Sequence, residues 1–231
     1  MTLLSILVSA VLASNQAPPA RGAGVPADAA VDTAVYAASY VEVMPSARAA
    51  AIAALKQYRD ASRKQEGYGR VDLFEQIGWP GHFAIFEAWR DQKAFDAHNA
   101  AAQKMLLDAL QPIRVSGFDQ RPYKTLSVAP APAAAASGSI SVVSHVDVSP
   151  DPRVAVMLKQ LAEASRREDG NLRFDVVQHT MRANHFTVIE TWRDQKALDA
   201  HTAAAHTRQY RDELQPMTGS PLDERVHKAV E

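Results

Sequence analysis

The chain has 231 residues, a formal net charge of −1, 47% hydrophobic and 22% charged residues, and no cysteine. It is long enough for one large or two small globular domains. The near-neutral charge, with no basic stripe, excludes bulk attraction to nucleic acid or an anionic membrane. The missing cysteines exclude disulfides, thiolate metal sites, iron–sulfur clusters and cysteine nucleophiles together.

Thr2 to Ala13 is mostly apolar, but shorter than the roughly 20 residues that span a bilayer. It has the form of a signal-peptide core with small residues from Ala10 to Ala17 for cleavage, although no Lys or Arg precedes it. A periplasmic or secreted protein is expected; the alternative is a cytoplasmic one with a frayed start. Ser14 to Asp32 is rich in Ala, Pro and Gly and reads as a disordered spacer. Residues 1–32 are therefore set apart from the folded chain.

Ala34 to Met44 alternates and stops at Pro45, as a strand does. Ser46 to Gln65 has helical composition and periodicity. Gly67 follows, where a left-handed helix cap favours glycine. Arg70 to Ile77 and Phe83 to Trp89 read as a hairpin. Asp91 is a good N-cap for the next helix, which runs to about Leu110 with a possible break. A last strand is expected within Ile113 to Val128. This β-α-β-β-α-β order is the ferredoxin-like arrangement.

The whole pattern then repeats. Trp89 to His98, W-R-D-Q-K-A-F-D-A-H, recurs 103 residues later as W-R-D-Q-K-A-L-D-A-H at Trp192 to His201. The period is far longer than the roughly 20–50 residues of a solenoid, so it marks a duplicated domain. The expected division is 33–128 for the first domain, 129–138 for a Pro/Ala linker and 139–231 for the second. The second domain has strand Ile140 to Val148, helix Arg153 to Glu168, Gly170, strands Arg173 to Thr180 and Phe186 to Trp192, and N-cap Asp194. Its final strand is expected within Met217 to Val230. A four-stranded sheet with helices on one face leaves the other face bare. Two copies in one chain cover each other's bare faces, predicting an intramolecular pseudo-dimer closed into an α+β barrel, open to further homo-oligomer formation.

Several residues are candidates for chemistry. His98 and His201 sit beside the apolar stripe of the helix after Asp91 or Asp194. Each is either a general base at a pocket between helix and sheet or a structural histidine bonded to a backbone carbonyl. Trp89 and Trp192 either pack against the helix start or wall a planar substrate. His201 and His206 are five residues apart, about 140° around a straight helix. No third ligand has a defined spacing, so no metal is expected, although a break after His201 would bring the two together. Tyr36, Tyr40 and His145 lie on the first strands, with Tyr40 aligned to His145, and are taken as pocket-lining. Arg70 with Asp72, and Arg173 with Asp175, share strand faces and read as structural pairs.

In the second copy, D-G-N-L-R-F-D (Asp169 to Asp175), F-T-V-I-E-T-W-R-D (Phe186 to Asp194) and A-L-D-A-H (Ala197 to His201) with His206 resemble the antibiotic biosynthesis monooxygenase family. The first copy has E-G-Y-G-R-V-D, F-A-I-F-E-A-W-R-D and A-F-D-A-H, with Gln103 in place of the second His. The resemblance implies two ferredoxin-like domains in a dimeric α/β barrel. It also implies a cofactor-independent monooxygenase that oxidises a quinol, anthrone or similar electron-rich aromatic with O₂. His201, or His98, would be the base and the tryptophans a pocket wall. No cofactor motif is present. The haem-degrading relatives use a first-strand Asn that neither copy has. The alternatives are a non-catalytic small-ligand or stress-response module, and an isomerase or lyase using the same His. The second copy, which keeps His206, is the expected working half.

Overall fold

The computed structural model describes residues 33–130, 138–219 and 221–231. The predicted leader and spacer over 1–32, and the middle of the predicted linker at 131–137, lie outside the described residues. Period-two alternation sends successive side chains of each strand to opposite faces. In β1 (Val35–Glu42), Ala37 and Val41 join the core under the helices, whereas Tyr36, Ala38 and Tyr40 face the other way. The first half continues with α1 (Arg48–Ser62), β2 (Tyr68–Gln76), β3 (His82–Trp89), α2 (Gln92–His98), α3 (Lys104–Leu110) and β4 (Asp119–Ser127). The second half has β5 (Ile140–Asp147), α4 (Arg153–Ser165), β6 (Asn171–His179), β7 (His185–Trp192), α5 (Gln195–Ala203), α6 (Ala205–Leu214) and β8 (Asp223–Ala229).

The eight strands among the described residues form one closed antiparallel barrel in the order β1-β3-β2-β8-β5-β7-β6-β4, with β4 returning to β1. Each half keeps the ferredoxin-like strand order, and two seams join the halves. β2 pairs with β8 from Phe74↔Ala229, and β4 pairs with β6 from Tyr123↔His179. Closure leaves no strand edge exposed and buries the bare sheet faces against each other, as the duplication predicts. Two helix–sheet cores flank the barrel, centred on Leu55, Trp89 and Leu110 and on Leu158, Trp192 and Leu214. Among the described residues, no helix is long and apolar enough to cross a membrane.

The barrel interior is partly ionic. Arg173 reaches Asp175 at 2.6 Å and Asp72 at 2.8 Å, while Arg70 reaches Asp72 at 2.6 Å and Asp175 at 3.4 Å. The pairs anticipated within each strand thus form one neutral four-charge network across the two halves. His227 is also inside and 2% exposed, with Nδ1 2.8 Å from the Arg225 carbonyl. Burial pushes its imidazole down to about 4. An unfolded histidine titrates near 6.5, so between these values the unfolded chain binds the extra proton. The stability due to neutral His227 is complete above about pH 6.5 and is lost as pH falls toward 4, by about 3 kcal/mol. Urea unfolding at pH 7 and pH 4.5 should show this loss, and His227→Gln should reduce it. An unchanged acid response in the variant would contradict the assignment.

Two local readings are revised. α1 and α4 end at Ser62 and Ser165, short of Gln65 and Glu168, and the following turns carry those side chains. Gly67 (φ +77°) and Gly170 (φ +84°) therefore lie beyond the helix caps. A Cβ at these positions would stand 2.4 Å from Ala94 Cβ and 2.6 Å from Ala197 Cβ. Glycine there lets the turn touch the next helix, besides supplying positive φ. Asp91 and Asp194 do cap α2 and α5, each accepting the N–H three residues on at 2.8 Å, which stabilises each helix start by about 1 kcal/mol.

Candidate active site

The spacing that both halves share, from β3 or β7 into the next helix, stacks each His on its Trp. Ring centroids are 4.2 Å apart for Trp89–His98 and 4.6 Å for Trp192–His201. Strand alternation places Glu87 and Glu190 on the same face as these tryptophans, under the helix. Both halves therefore bury a Trp, a His and a carboxylate together. His98 Nε2 is 3.0 Å from Glu87, and His201 Nε2 is 3.4 Å from Glu190. The sequence pattern singles out the Trp and His but gives the Glu no role. Its signal was available: an acid two residues before a buried Trp on a strand must be buried too.

The halves differ in what fills the space beside this trio. In the first half, Tyr58 donates to Glu87 Oε1 at 2.6 Å and lies 2.7 Å from His98 Nε2. His98 Nδ1 meets Gln65 Oε1 at 2.8 Å, and His98 and Glu87 are wholly buried. Burial and the Glu87 charge hold the Tyr58 hydroxyl well above its ordinary range. All faces of His98 are occupied: the opening of about 60 Å³ on the outer side of Tyr58, lined by Gln57, Ala102 and Leu106, does not reach Glu87 or His98.

In the second half, Leu161 stands where the repeat places Tyr58. A cavity of about 30 Å³ opens there, lined by Leu161, Phe174, Glu190, His201, Tyr210 and Glu224, among others. Trp192 Nε1 donates to Glu190 Oε2 at 2.7 Å. Burial nevertheless pushes the Glu190 carboxyl up to about 7, so it can exchange a proton near neutrality. Burial also lowers His201, against the pull of Glu168, favouring a neutral imidazole. Tyr210 Oη is buried beside this cavity and makes no hydrogen bond.

The outer side of His201 carries a second cluster. α5 stops at Ala203, and Ala204 turns extended (φ −64°, ψ 146°) before α6 begins. The break anticipated after His201 is therefore present. It brings His201 Nδ1 and His206 Nε2 to the same Glu168 oxygen, at 2.7 and 2.9 Å. In the first half, a π-helical turn, Asn99–Gln103, carries α2 into α3 without a break.

Tyr36, Tyr40 and His145 do not join either trio, because they point into the barrel on the opposite face of the sheet. Tyr36 stacks on Phe86 at 6.0 Å. Tyr40 meets His145 edge-on at 5.3 Å, with the Arg121 guanidinium 5.1 Å from its ring centre. Burial raises the Tyr40 phenol far above its usual range and lowers His145 to about 4. His145 lines a polar cleft of about 560 Å³ at the barrel mouth, along with Arg121, Tyr123 and Asp223. It is larger than the cavity beside Glu190, but a histidine of that acidity is a weak base. The cleft's Arg121 is already committed to Asp119 at 2.6 Å.

Residues 34–103 and 141–213 each match the sequence profile described as antibiotic biosynthesis monooxygenase. The Bacillus subtilis (strain 168) protein named "Putative monooxygenase YcnE" is 27% identical over 86 residues, which is 36% of this chain and 90% of that protein. A Fusobacterium nucleatum structure described as a "Putative monooxygenase" superposes with a TM-score of 0.80 at 16% identity, covering 87% of this chain and 94% of its own. A structure described as an "anthrone oxidase-like protein" gives 0.67 at 12% identity, covering 87% and 93%. At these identities the two structures are similar in fold.

Proposed function

The chain belongs to the antibiotic biosynthesis monooxygenase family, and from that premise we propose that its second half is a cofactor-independent monooxygenase acting on an electron-rich aromatic of the quinol or anthrone class. The observation that carries this reading is the cavity bounded by Glu190, His201 and Tyr210, at the place where Tyr58 seals the first half. Oxidation by O₂ without a cofactor requires the substrate to supply the electrons, which such compounds do once deprotonated. Glu190 takes the phenolic or benzylic proton, with His201 Nε2 3.4 Å from its carboxylate. The Tyr210 hydroxyl donates to the oxyanion that forms. For an anthrone, the methylene carbon becomes a carbonyl. One atom of O₂ enters the product and the other leaves as water, so the four electrons come from that carbon.

A cavity of about 30 Å³ holds about one water, so an aromatic ring enters only as α6 moves outward. The extended residue Ala204 is the hinge available for that movement. The name of YcnE agrees with a monooxygenase reaction.

Oxygen uptake with a panel of quinols and anthrones tests the proposal, and no uptake with any of them would overturn it. Leu161→Tyr should rebuild the seal of the first half. It is expected to raise KM at least about tenfold or abolish uptake, with an unchanged circular dichroism spectrum. Undiminished turnover in that variant would place the substrate elsewhere.

A further inference from the structure

We propose that Glu168, His201 and His206 form a binding site for a divalent transition metal ion of the zinc, cobalt, nickel or copper type. The inference goes beyond the pocket chemistry and does not rest on it. The three donor atoms, Glu168 Oε1, His201 Nδ1 and His206 Nε2, lie within 4.8 Å of one another. They come from three places: the turn after α4, the end of α5 and the start of α6. In a straight helix the two histidines would point about 140° apart. The break at Ala204 turns both onto one carboxylate oxygen.

A second observation comes from the other ring nitrogen. A histidine that ligates a metal usually gives its remaining N–H to a carboxylate, which fixes its tautomer. His201 Nε2 faces Glu190 Oε2 at 3.4 Å, and its ring is held between Trp192 and Phe174. One ligand is thus rigid and oriented. The other two can adjust, since the His206 and Glu168 side chains are 32% and 17% exposed. Metal–ligand bonds near 2.0–2.2 Å set neighbouring donors about 3.3 Å apart. The present 2.7 and 2.9 Å to the carboxylate therefore need to widen by about half an ångström, and the two imidazole nitrogens, which lie within 4.8 Å, to settle at the same spacing. Two imidazoles and one carboxylate select a borderline transition metal over calcium or magnesium. Three protein donors leave a coordination position open toward solvent.

The first half is a built-in control. Gln65 replaces the carboxylate, Gln103 stands where the repeat places His206, and the unbroken helix presents no second imidazole to His98. A bound ion at His201 Nδ1 would hold the ring proton on Nε2, facing Glu190, so occupancy would be felt inside the pocket.

The test is titration of the untagged, chelator-stripped full chain with Zn²⁺ by calorimetry, and with Co²⁺ by its visible absorption. One equivalent per chain is expected, with cobalt bands typical of nitrogen and oxygen ligation. His206→Ala, at a partly exposed position, should weaken binding at least about 100-fold, and Glu168→Gln at least about tenfold. Gln65→Ala, in the first half, should leave it unchanged. Binding that survives His206→Ala at full strength, or a wild type that binds no more tightly than His206→Ala, would overturn the proposal. Turnover enters none of these readouts, so failure of the monooxygenase reading would leave the result intact.

Discussion

Glu190→Gln is expected to lower kcat for oxygen uptake by about 100- to 10,000-fold, the range that positioned acid–base groups contribute. The substitution keeps the shape of the side chain and an acceptor for the Trp192 indole N–H, which now donates to Glu190 Oε2 at 2.7 Å. What it removes is the ability to take a proton. KM should change little, because the cavity wall is preserved. The matching change in the first half, Glu87→Gln, should leave turnover intact, since Tyr58 already occupies Glu87 there. If Glu190→Gln keeps its turnover while His201→Ala loses it, the base is the imidazole itself.

Asp175→Ala is expected to destabilise the fold by about 3–5 kcal/mol, the usual cost of removing one partner from a buried charge pair. Asp175 is fully buried and accepts from Arg173 Nε at 2.6 Å, Arg70 Nη2 at 3.4 Å and the Ala129 N–H at 3.1 Å. Without it, two guanidiniums inside the barrel share Asp72 alone. Urea unfolding followed by tryptophan fluorescence measures the loss. The paired replacement Arg173→Leu with Asp175→Leu should cost less than Asp175→Ala, because no charge is stranded. A loss below about 1 kcal/mol for Asp175→Ala would show that water reaches the network.

The fold was legible because each half carries strong local signals: alternating strands, acidic caps at Asp91 and Asp194, and a repeat that leaves two sheet faces uncovered. The seams were not legible. The β2–β8 and β4–β6 pairings join strands from different halves, and no local pattern sets their register. In the site, the Trp–His pairs follow from motif spacing, because a strand end and a capped helix start leave little freedom. Tyr36, Tyr40 and His145 lie on the opposite face of the sheet, which alignment of the copies does not reveal: it shows where they differ, not which way a strand faces. Glu168 reads as a polar residue at a helix end, and only the break at Ala204 gives it two histidines. Leu161 reads as an ordinary core residue. Its meaning lies in not being Tyr58, which becomes visible once the packing around His98 and His201 is compared.

The proposed working site lies in the second of the two alike halves alone. Oxygen uptake on a quinol and anthrone panel, measured for the wild type, His201→Ala and His98→Gln, tests this placement most directly, with thermal melts confirming that each variant folds. Uptake by the wild type is expected, with a loss of at least about 100-fold in His201→Ala and turnover within about twofold of wild type in His98→Gln. Equal losses in the two variants, or a loss confined to His98→Gln, would contradict this placement.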